Sequence, residues 1–297
     1  MRHLIARPDR PDADGISETG DARFVVTDFG ERPFLRWAGG KQRLARQLQE
    51  IVGTPSGRKT YHEPFLGAAS VFLAVRPRRA VLSDLNDHLI GMYVAVRNNP
   101  DEVGKLLAEM AARHSRGEYY RVRDEYNAAA PGPERAAQFI YLNRTGYNGV
   151  FRVNKKGVFN VPVGNKSPFT IPSITNLQRV AARLEHCELL VQPFEGVLSR
   201  AGRGDIVYLD PPYPPLNGTA YFRHYTPERF DTIQQTRVAT VAKALRHRGC
   251  SVVISNADTD LIRDLYEGWK LNELTVARWV MSGTRHRVQE LIITSDD

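Results

Sequence analysis

Asp205-Ile206-Val207-Tyr208-Leu209-Asp210-Pro211-Pro212-Tyr213 is the stretch that decides the fold. An apolar strand here delivers an acid, two prolines and an aromatic ring at its carboxyl end, which is where ligands of open α/β sheets bind. The prolines fix φ, remove two backbone donors and hold Asp210 extended, so that carbonyls project beside the carboxylate as fixed acceptors. A paired acceptor suits an amino group. An aromatic amine is a poor nucleophile because its lone pair is delocalised into the ring. If Asp210 and the Pro211 carbonyl each accept one N–H bond, that pair is freed, and the Tyr213 ring offers a face for stacking. The bland alternative is a strand that ends in an N-capping Asp and a proline turn.

The same grammar extends outward on both sides. Tyr61 to Glu63 is strand-like before a helical Ala68 to Val75, and Ala80 to Ser83 precedes a helical Leu89 to Val96. After position 170 come a helix near 174–184 and strands at Leu189–Val191, Ile206–Leu209 and Ser251–Ser255. A helix is expected from Thr226-Pro227-Glu228, with Thr226 as N-cap; Phe230, Ile233, Val238, Val241 and Leu245 form its apolar stripe, and Gly249 ends it. Between these blocks, 98–172 breaks the pattern with helices to about 142 and a Gly- and Asn-rich segment, 143–170. We read 98–172 as an insertion forming a second lobe and 1–30, rich in Asp, Arg, Pro and Gly, as a flexible leader. The remaining 31–97 and 173–297 form the α/β body.

Composition narrows the class. A 297-residue chain with 42% hydrophobic and 25% charged residues is globular, which sets aside disorder and fibres. Cys187 and Cys250 are too few for a disulfide framework or a four-Cys zinc site, and the eight histidines show no HExxH or other metal spacing, so no metal is expected. No apolar stretch reaches the ~20 residues of a membrane helix, and the first residues lack a signal-peptide core, so a cytoplasmic protein with no membrane partner is expected. Lys plus Arg exceed Asp plus Glu by 41 − 33 = 8, and the pI of 9.6 points to a polyanionic partner, of which nucleic acid is the commonest.

Other blocks carry chemistry. Glu63-Pro64-Phe65-Leu66-Gly67-Ala68-Ala69-Ser70 follows a short strand and opens a helix, where small residues let a nucleotide-like ligand approach backbone N–H groups or simply let helix pack on strand. Asp84-Leu85-Asn86 ends the next strand about 20 residues on, the spacing of a ribose-binding acid, and equally a helix N-cap. Arg36-Trp37-Ala38-Gly39-Gly40-Lys41 offers a tight turn, a flat ring and a point charge, without the spacing of a triphosphate loop. From Arg144 to Lys166 there is no acid, while Arg144, Arg152, Lys155, Lys156 and Lys166 interleave with Tyr147, Phe151 and Phe159. That composition suits phosphates and bases, or a solvated hairpin.

Taken together and in this order, from about Pro33 to Ile293, these blocks resemble the Dam-like DNA adenine-N6 methyltransferases, which use S-adenosylmethionine and extrude the target adenine. The resemblance implies a Rossmann-like methyltransferase sheet with helices on both faces and an inserted helical and β-hairpin DNA-recognition lobe. It implies catalysis by Asp210, Pro211, Pro212 and Tyr213. Trp37, Ala38, Gly39, Lys41, Phe65, Gly67, Asp84, Leu85, Asn86 and Asp210 would bind the cofactor, with Phe194 as a further wall for its adenine. Tyr141 to Arg152 looks like the target-reading hairpin, in which the residues matching Tyr147 and Asn148 fill the gap left by the flipped base and the one matching Arg152 reads a guanine. Arg36 is placed near a base and Arg123 at a phosphate, and Arg144, Val150, Lys155, Lys156, Pro162 and Lys166 complete the expected DNA surface. The expected site is a short GATC-like palindrome in double-stranded DNA; a restriction endonuclease partner is left open by the sequence. Ala69 stands where many relatives have Gly, and Asn165-Lys166 replaces a basic and aromatic pair.

Two other classes compete. A DNA-binding regulator that has lost catalysis would share the scaffold but has no need of an intact Asp210–Tyr213. A nicotinamide-dependent oxidoreductase would share the small-residue turn and ribose acid but not the basic insertion.

Overall fold

Val207 and Leu209 pack to one side of their strand and Ile206 and Tyr208 to the other, all four buried, so this strand must lie inside a sheet covered on both faces. The computed structural model describes residues 24–165, 167–214, 230–279 and 285–295, and in it β6 (Ile206–Leu209) occupies the centre of a seven-stranded sheet. In order along that sheet run β5 (Cys187–Val191), β3 (Ala80–Asp84), β2 (Tyr61–Glu63), β6, β7 (Ser251–Ala257), β9 (Arg285–Thr294) and β8 (Lys270–Trp279). The first five are parallel; β9 is antiparallel to both β7 and β8.

Helices cover each face. On one, α8 (Thr232–His247) and α9 (Asp260–Leu265) bury Val238, Val241, Leu245 and Ile262 against Val252, Ile254 and Leu291. On the other lie α1 (Ala45–Val52), α2 (Ser70–Val75), α3 (Asp87–Asn98), α4 (Pro100–Ala112), α5 (Arg116–Ala128), α6 (Pro133–Thr145) and α7 (Ile174–Leu184). This is the expected α/β layering. In the segment 98–172, read from the sequence as an inserted second lobe, α4 and α6 pack on α3 and α7, and their side chains share one apolar cluster with the sheet instead of forming a separate core.

The structure differs from the sequence reading at several places. Phe24–Thr27, read as part of the leader, forms β1, paired in parallel with β4 (Phe169–Pro172). A four-residue strand whose partner lies some 145 positions away, at Phe24↔Phe169, leaves no local period to detect. Residues 1–23, the cap Thr226 and Lys166 lie outside the described residues. The described part of α8 begins at Thr232, where the Asp231 side chain accepts the Gln234 N–H. Ile233 is 69% exposed in its first turn, and Gln235 instead takes the buried position one turn before Val238. The helix α6 continues to Thr145, and among the described residues the segment after it pairs with itself through two antiparallel bridges, Gly146↔Val163 and Val153↔Phe159. Among the described residues no helix is long and apolar enough to cross a membrane.

Candidate active site

From β2 the chain steps outward to β3 and then β5, and it returns to place β6 on the other side of β2. The strand order therefore reverses between β2 and β6, and a crevice opens at the carboxyl ends of those two strands. Glu63 and Asp210 stand there side by side.

Asp210 is held from across the crevice. Lys41 Nζ lies 2.6 and 2.8 Å from its two carboxylate oxygens and 3.0 Å from the Gly39 carbonyl, and it sits 4.7 Å from the centroid of the Tyr213 ring. The ammonium is thus bonded to the acid and placed over the aromatic face at once. The Tyr213 hydroxyl donates to Glu290 Oε2 at 2.9 Å, and burial, with Asp210 and Glu290 nearby, pushes that phenol well above its ordinary value. Gln235 Nε2 donates to the Pro212 carbonyl at 2.8 Å, and Asn256 Nδ2 donates to Gln235 Oε1 at 3.0 Å; both amides are fully buried. Below the acid, Tyr61 donates to Glu63 Oε2 at 2.7 Å, and burial raises the Glu63 carboxyl to about 8.

A second group gathers around Asp84. Its two oxygens accept the Gly67 and Asn86 N–H groups, each at 3.0 Å, and the Tyr93 hydroxyl donates to the Gly67 carbonyl at 3.1 Å. Burial raises the Asp84 carboxyl, and the backbone N–H groups of Asn86, Gly67 and Leu85 act against that by favouring the carboxylate. Gly67 has φ of 48°, and a Cβ there would meet Trp37 Cδ1 at 3.0 Å, so the glycine serves both the turn and the indole lying on it. Ala69 takes a left-handed φ of 57° at the cap of α2, the strained counterpart of a glycine. Phe65 and Phe194 stack at 5.3 Å, with the Phe230 ring edge-on to Phe65. The structure thus brings together Trp37, Gly67, Asp84 and Asn86 in one group and Lys41, Asp210 and Tyr213 in another. Asn86 also caps α3 by accepting the Leu89 N–H, so its two sequence readings coexist. Leu85 is 60% exposed, and Ala38 and Gly39 are exposed.

The expected DNA set divides. Asn143, buried on α6, accepts the Arg36 N–H at 2.8 Å and donates to the carbonyls of Arg36 at 2.7 Å and Gly149 at 2.9 Å. It thereby locks the Arg36 turn to the loop that presents exposed Tyr147 and Asn148, and Asn148 is itself left-handed. Gly149 leaves room for the Arg36 side chain, since a Cβ there would fall 2.6 Å from Arg36 Cβ. The Pro162 carbonyl accepts the Tyr147 N–H. Arg152 donates to Asn160 Oδ1 at 2.9 Å, while Lys155 and Lys156 stand exposed at the tip; Val150 is half-buried. Arg123 lies over the Tyr120 ring of α5.

Arg144 is a correction. It is 7% exposed and its guanidinium donates to the Thr170 carbonyl and hydroxyl and to the Phe34 carbonyl, so it anchors the base of the loop instead of reaching DNA. Burial, with Arg36 nearby, lowers it to about 10. Because α6 runs through Thr145, Arg144 is a helical residue facing the core, which a reading of 143–170 as irregular conceals. Sequence reasoning also gave no role to Asn143, Gln235 or Asn256. Gln235 was findable as a polar residue in phase with Val238, Ala242 and Leu245, and Asn256 as an amide near the end of a buried strand.

A doubly wound sheet with an acid, two prolines and a tyrosine at its switch point defines the class of α/β methyltransferases that act on amino groups. The chain belongs to the family of D12 class N6 adenine-specific DNA methyltransferases, whose model matches residues 37–280. It is 38% identical over 266 residues to the DNA adenine methylase of Escherichia coli (strain K12), covering 88% of this chain and 94% of that protein. It is 36% identical over 267 residues to the type II methyltransferase M.MjaIII of Methanocaldococcus jannaschii, covering 84% and 92% of the two chains. With the type II methyltransferase M1.LlaDCHI of Lactococcus lactis subsp. cremoris it shares 32% identity over 276 residues, 89% of this chain and 95% of that one. It is therefore an adenine-specific DNA methyltransferase, and the family implies S-adenosylmethionine as methyl donor.

Proposed function

We propose that this enzyme methylates N6 of an adenine swung out of double-stranded DNA, within a short palindrome of the GATC type. The observation that carries the reading is the Asp210 carboxylate, fixed beside the Tyr213 ring with Lys41 bonded to both its oxygens. In the working complex the target amine takes over hydrogen bonds on Asp210 and on the Pro211 carbonyl, its ring stacks on Tyr213, and Lys41 gives way. Gln235 ties the Pro212 carbonyl back, which leaves the Pro211 carbonyl to face the amine. Swinging the base out costs a few kcal/mol, offset by stacking and by contacts from the loop.

The residues around Asp84 fit the donor. S-adenosylmethionine supplies an electrophilic methyl group. The Asp84 oxygens each have lone pairs beyond the one given to a backbone N–H, enough to accept ribose hydroxyls. Trp37, Gly67 and Asn86 complete that end, and Phe65 and Phe194 provide apolar wall. We assign the segment 98–172 to target recognition, with Arg152 reading a guanine, Tyr147 and Asn148 probing the vacated stack, and Lys155, Lys156, Arg36 and Arg123 on phosphate or base edges. The free, buried Cys187 and Cys250 suit a reducing cytoplasm. Asp210→Asn keeps the shape and removes the charge; turnover should fall by orders of magnitude with the melting temperature near wild type. Normal methylation by that variant would overturn the assignment.

A further inference from the structure

The parallel strands share a second end, opposite the crevice. The loops that enter β3, β2, β6 and β7 all lie there, and these four strands are neighbours in the sheet. Into that one edge the chain puts Arg78 and Arg79, then Arg58 and Lys59, then Arg203, then Arg248, all exposed. Among the described residues none of the six has a carboxylate within ion-pair distance. At about 4.8 Å between strands the row is roughly 14 Å wide. Arg248 donates to the Leu198 carbonyl, which leaves its charge unneutralised; mixed signs are the ordinary arrangement on a protein surface, and a row of like charges without carboxylate partners repels itself.

The row is also built. Asp205, the acid of these loops, is turned inward: it accepts the Thr60 N–H at 2.8 Å and the Gly202 N–H at 2.9 Å, and lies 3.3 Å from His62. It therefore pins the Arg58-Lys59 loop to the Arg203 loop without neutralising either surface. The Gly204 N–H donates to the Gly249 carbonyl at 2.8 Å, joining the next pair. Two of the basic stems cross the glycine backbone of a neighbouring loop: a Cβ on Gly204 would stand 3.2 Å from Lys59 Cε, and one on Gly249 would stand 3.1 Å from Arg203 Cγ. Both glycines have left-handed φ, 86° and 82°.

We propose that this edge is a second nucleic-acid surface, which holds a duplex segment other than the one being methylated. It goes beyond the proposed function and rests on the chain's action on DNA. Arginine dominates the row, and its forked donors match phosphate oxygens. From Asp205 to Asp210 the chain rises about 17 Å along β6, and the two ends face opposite ways. A duplex lying in the crevice would have to fold back on itself to touch the row, which its ~150 bp persistence length opposes. The occupant is therefore a separate duplex or a distant part of the same one. Among the described residues the large exposed apolar side chains, Val25, Val26, Leu85, Tyr147, Val158, Val191 and Ile233, all lie outside these loops, so these loops offer no large apolar side chain to a lipid surface. A chain held at two ends in this way can pass from one segment to another without release.

The test uses the full chain and a short duplex carrying one target site, with sedimentation at about 50 and 200 mM salt. Wild type should take up a second duplex at low salt, and roughly a thousandfold of that second affinity should vanish at the higher salt, as for about six phosphate contacts. The variant Arg58→Gln/Lys59→Gln/Arg78→Gln/Arg79→Gln/Arg203→Gln/Arg248→Gln should bind one duplex and methylate it with unchanged kcat and KM. The smaller Arg78→Gln/Arg79→Gln change, which disturbs neither glycine crossing, should weaken the second event in part. One duplex per wild-type chain, or a second event indifferent to the substitutions, would overturn the proposal. So would loss of the second event together with row-dependent flotation on phosphatidylcholine–phosphatidylserine vesicles, which would make the edge a membrane contact. If the first duplex neither binds nor is methylated, the fault lies in the proposed function and not in this surface.

Discussion

Truncating Asn143 to alanine should unseat the reading loop and cost a large part of the chain's stability. The side chain is 3% exposed and makes three hydrogen bonds, all to backbone: it accepts from Arg36 and donates to Arg36 and Gly149. At about 1 kcal/mol net for each bond the loss is roughly 3 kcal/mol, and backbone groups left buried without partners raise it to about 3–5 kcal/mol. Asn143→Asp is the informative companion, because it keeps the acceptor for the Arg36 N–H but turns an oxygen toward two carbonyls. It should be no more stable than the alanine variant. Urea unfolding followed by circular dichroism gives the change from the shift in midpoint at constant slope. Methylation of a one-site duplex should show KM rising more than kcat, since the damage is to the Arg36–Gly149 junction and not to Asp210. A stability change below about 1 kcal/mol would refute the reasoning and show that the loop is held by Phe151, Phe159 and Val161 alone.

Asp84→Ala should weaken S-adenosylmethionine binding by about 1.5–3 kcal/mol, because charge-assisted bonds are lost and the Gly67 N–H is released; calorimetry showing unchanged affinity would remove Asp84 from the site. Glu63 sets a pH dependence. Between about 4.5 and 8 the folded protein holds a proton that the unfolded chain has released, so its contribution makes stability fall as pH rises through that window. Glu63→Gln should flatten that decline in urea midpoints measured across the range, and an unaltered slope would dismiss the buried acid. Arg152→Ala should lose roughly 1–3 kcal/mol of discrimination at one guanine across panels of single-base-pair variants, whereas Lys155→Ala should weaken all sequences alike; equal profiles would refute the loop's role.

Much of the sheet was readable because parallel strands buried on both faces leave unbroken apolar runs: Ile206–Leu209 is found at the residues expected, and the helix after β4 spans Ile174–Leu184 as its pattern indicates. Gly67 is brought to Asp84 and Lys41 to Asp210, two pairs whose members lie in separate motifs of the sequence. What the sequence hid was non-local. β1 exists only through a partner far along the chain, and Arg144 was misread because its positive charge drew attention from the helical phase that turns it inward. The amides Asn143, Gln235 and Asn256 carry no motif, since their value lies in what each meets: backbone carbonyls for Asn143 and Gln235, and the Gln235 side chain for Asn256.

The loop that follows α6 belongs to no ladder. Two bridges close it, Phe151, Phe159 and Val161 plug it into the core, and Asn143 fastens its neighbour. Between those plugs Val153 bridges Phe159 and packs on the core, and Asn154 Oδ1 accepts the Lys156 and Val158 N–H groups, so it is at the exposed tip, Lys155 and Lys156, that residues can be exchanged while the anchors stay as they are. In an engineering programme that tip is therefore the place to vary side chains without reopening the packing beneath it.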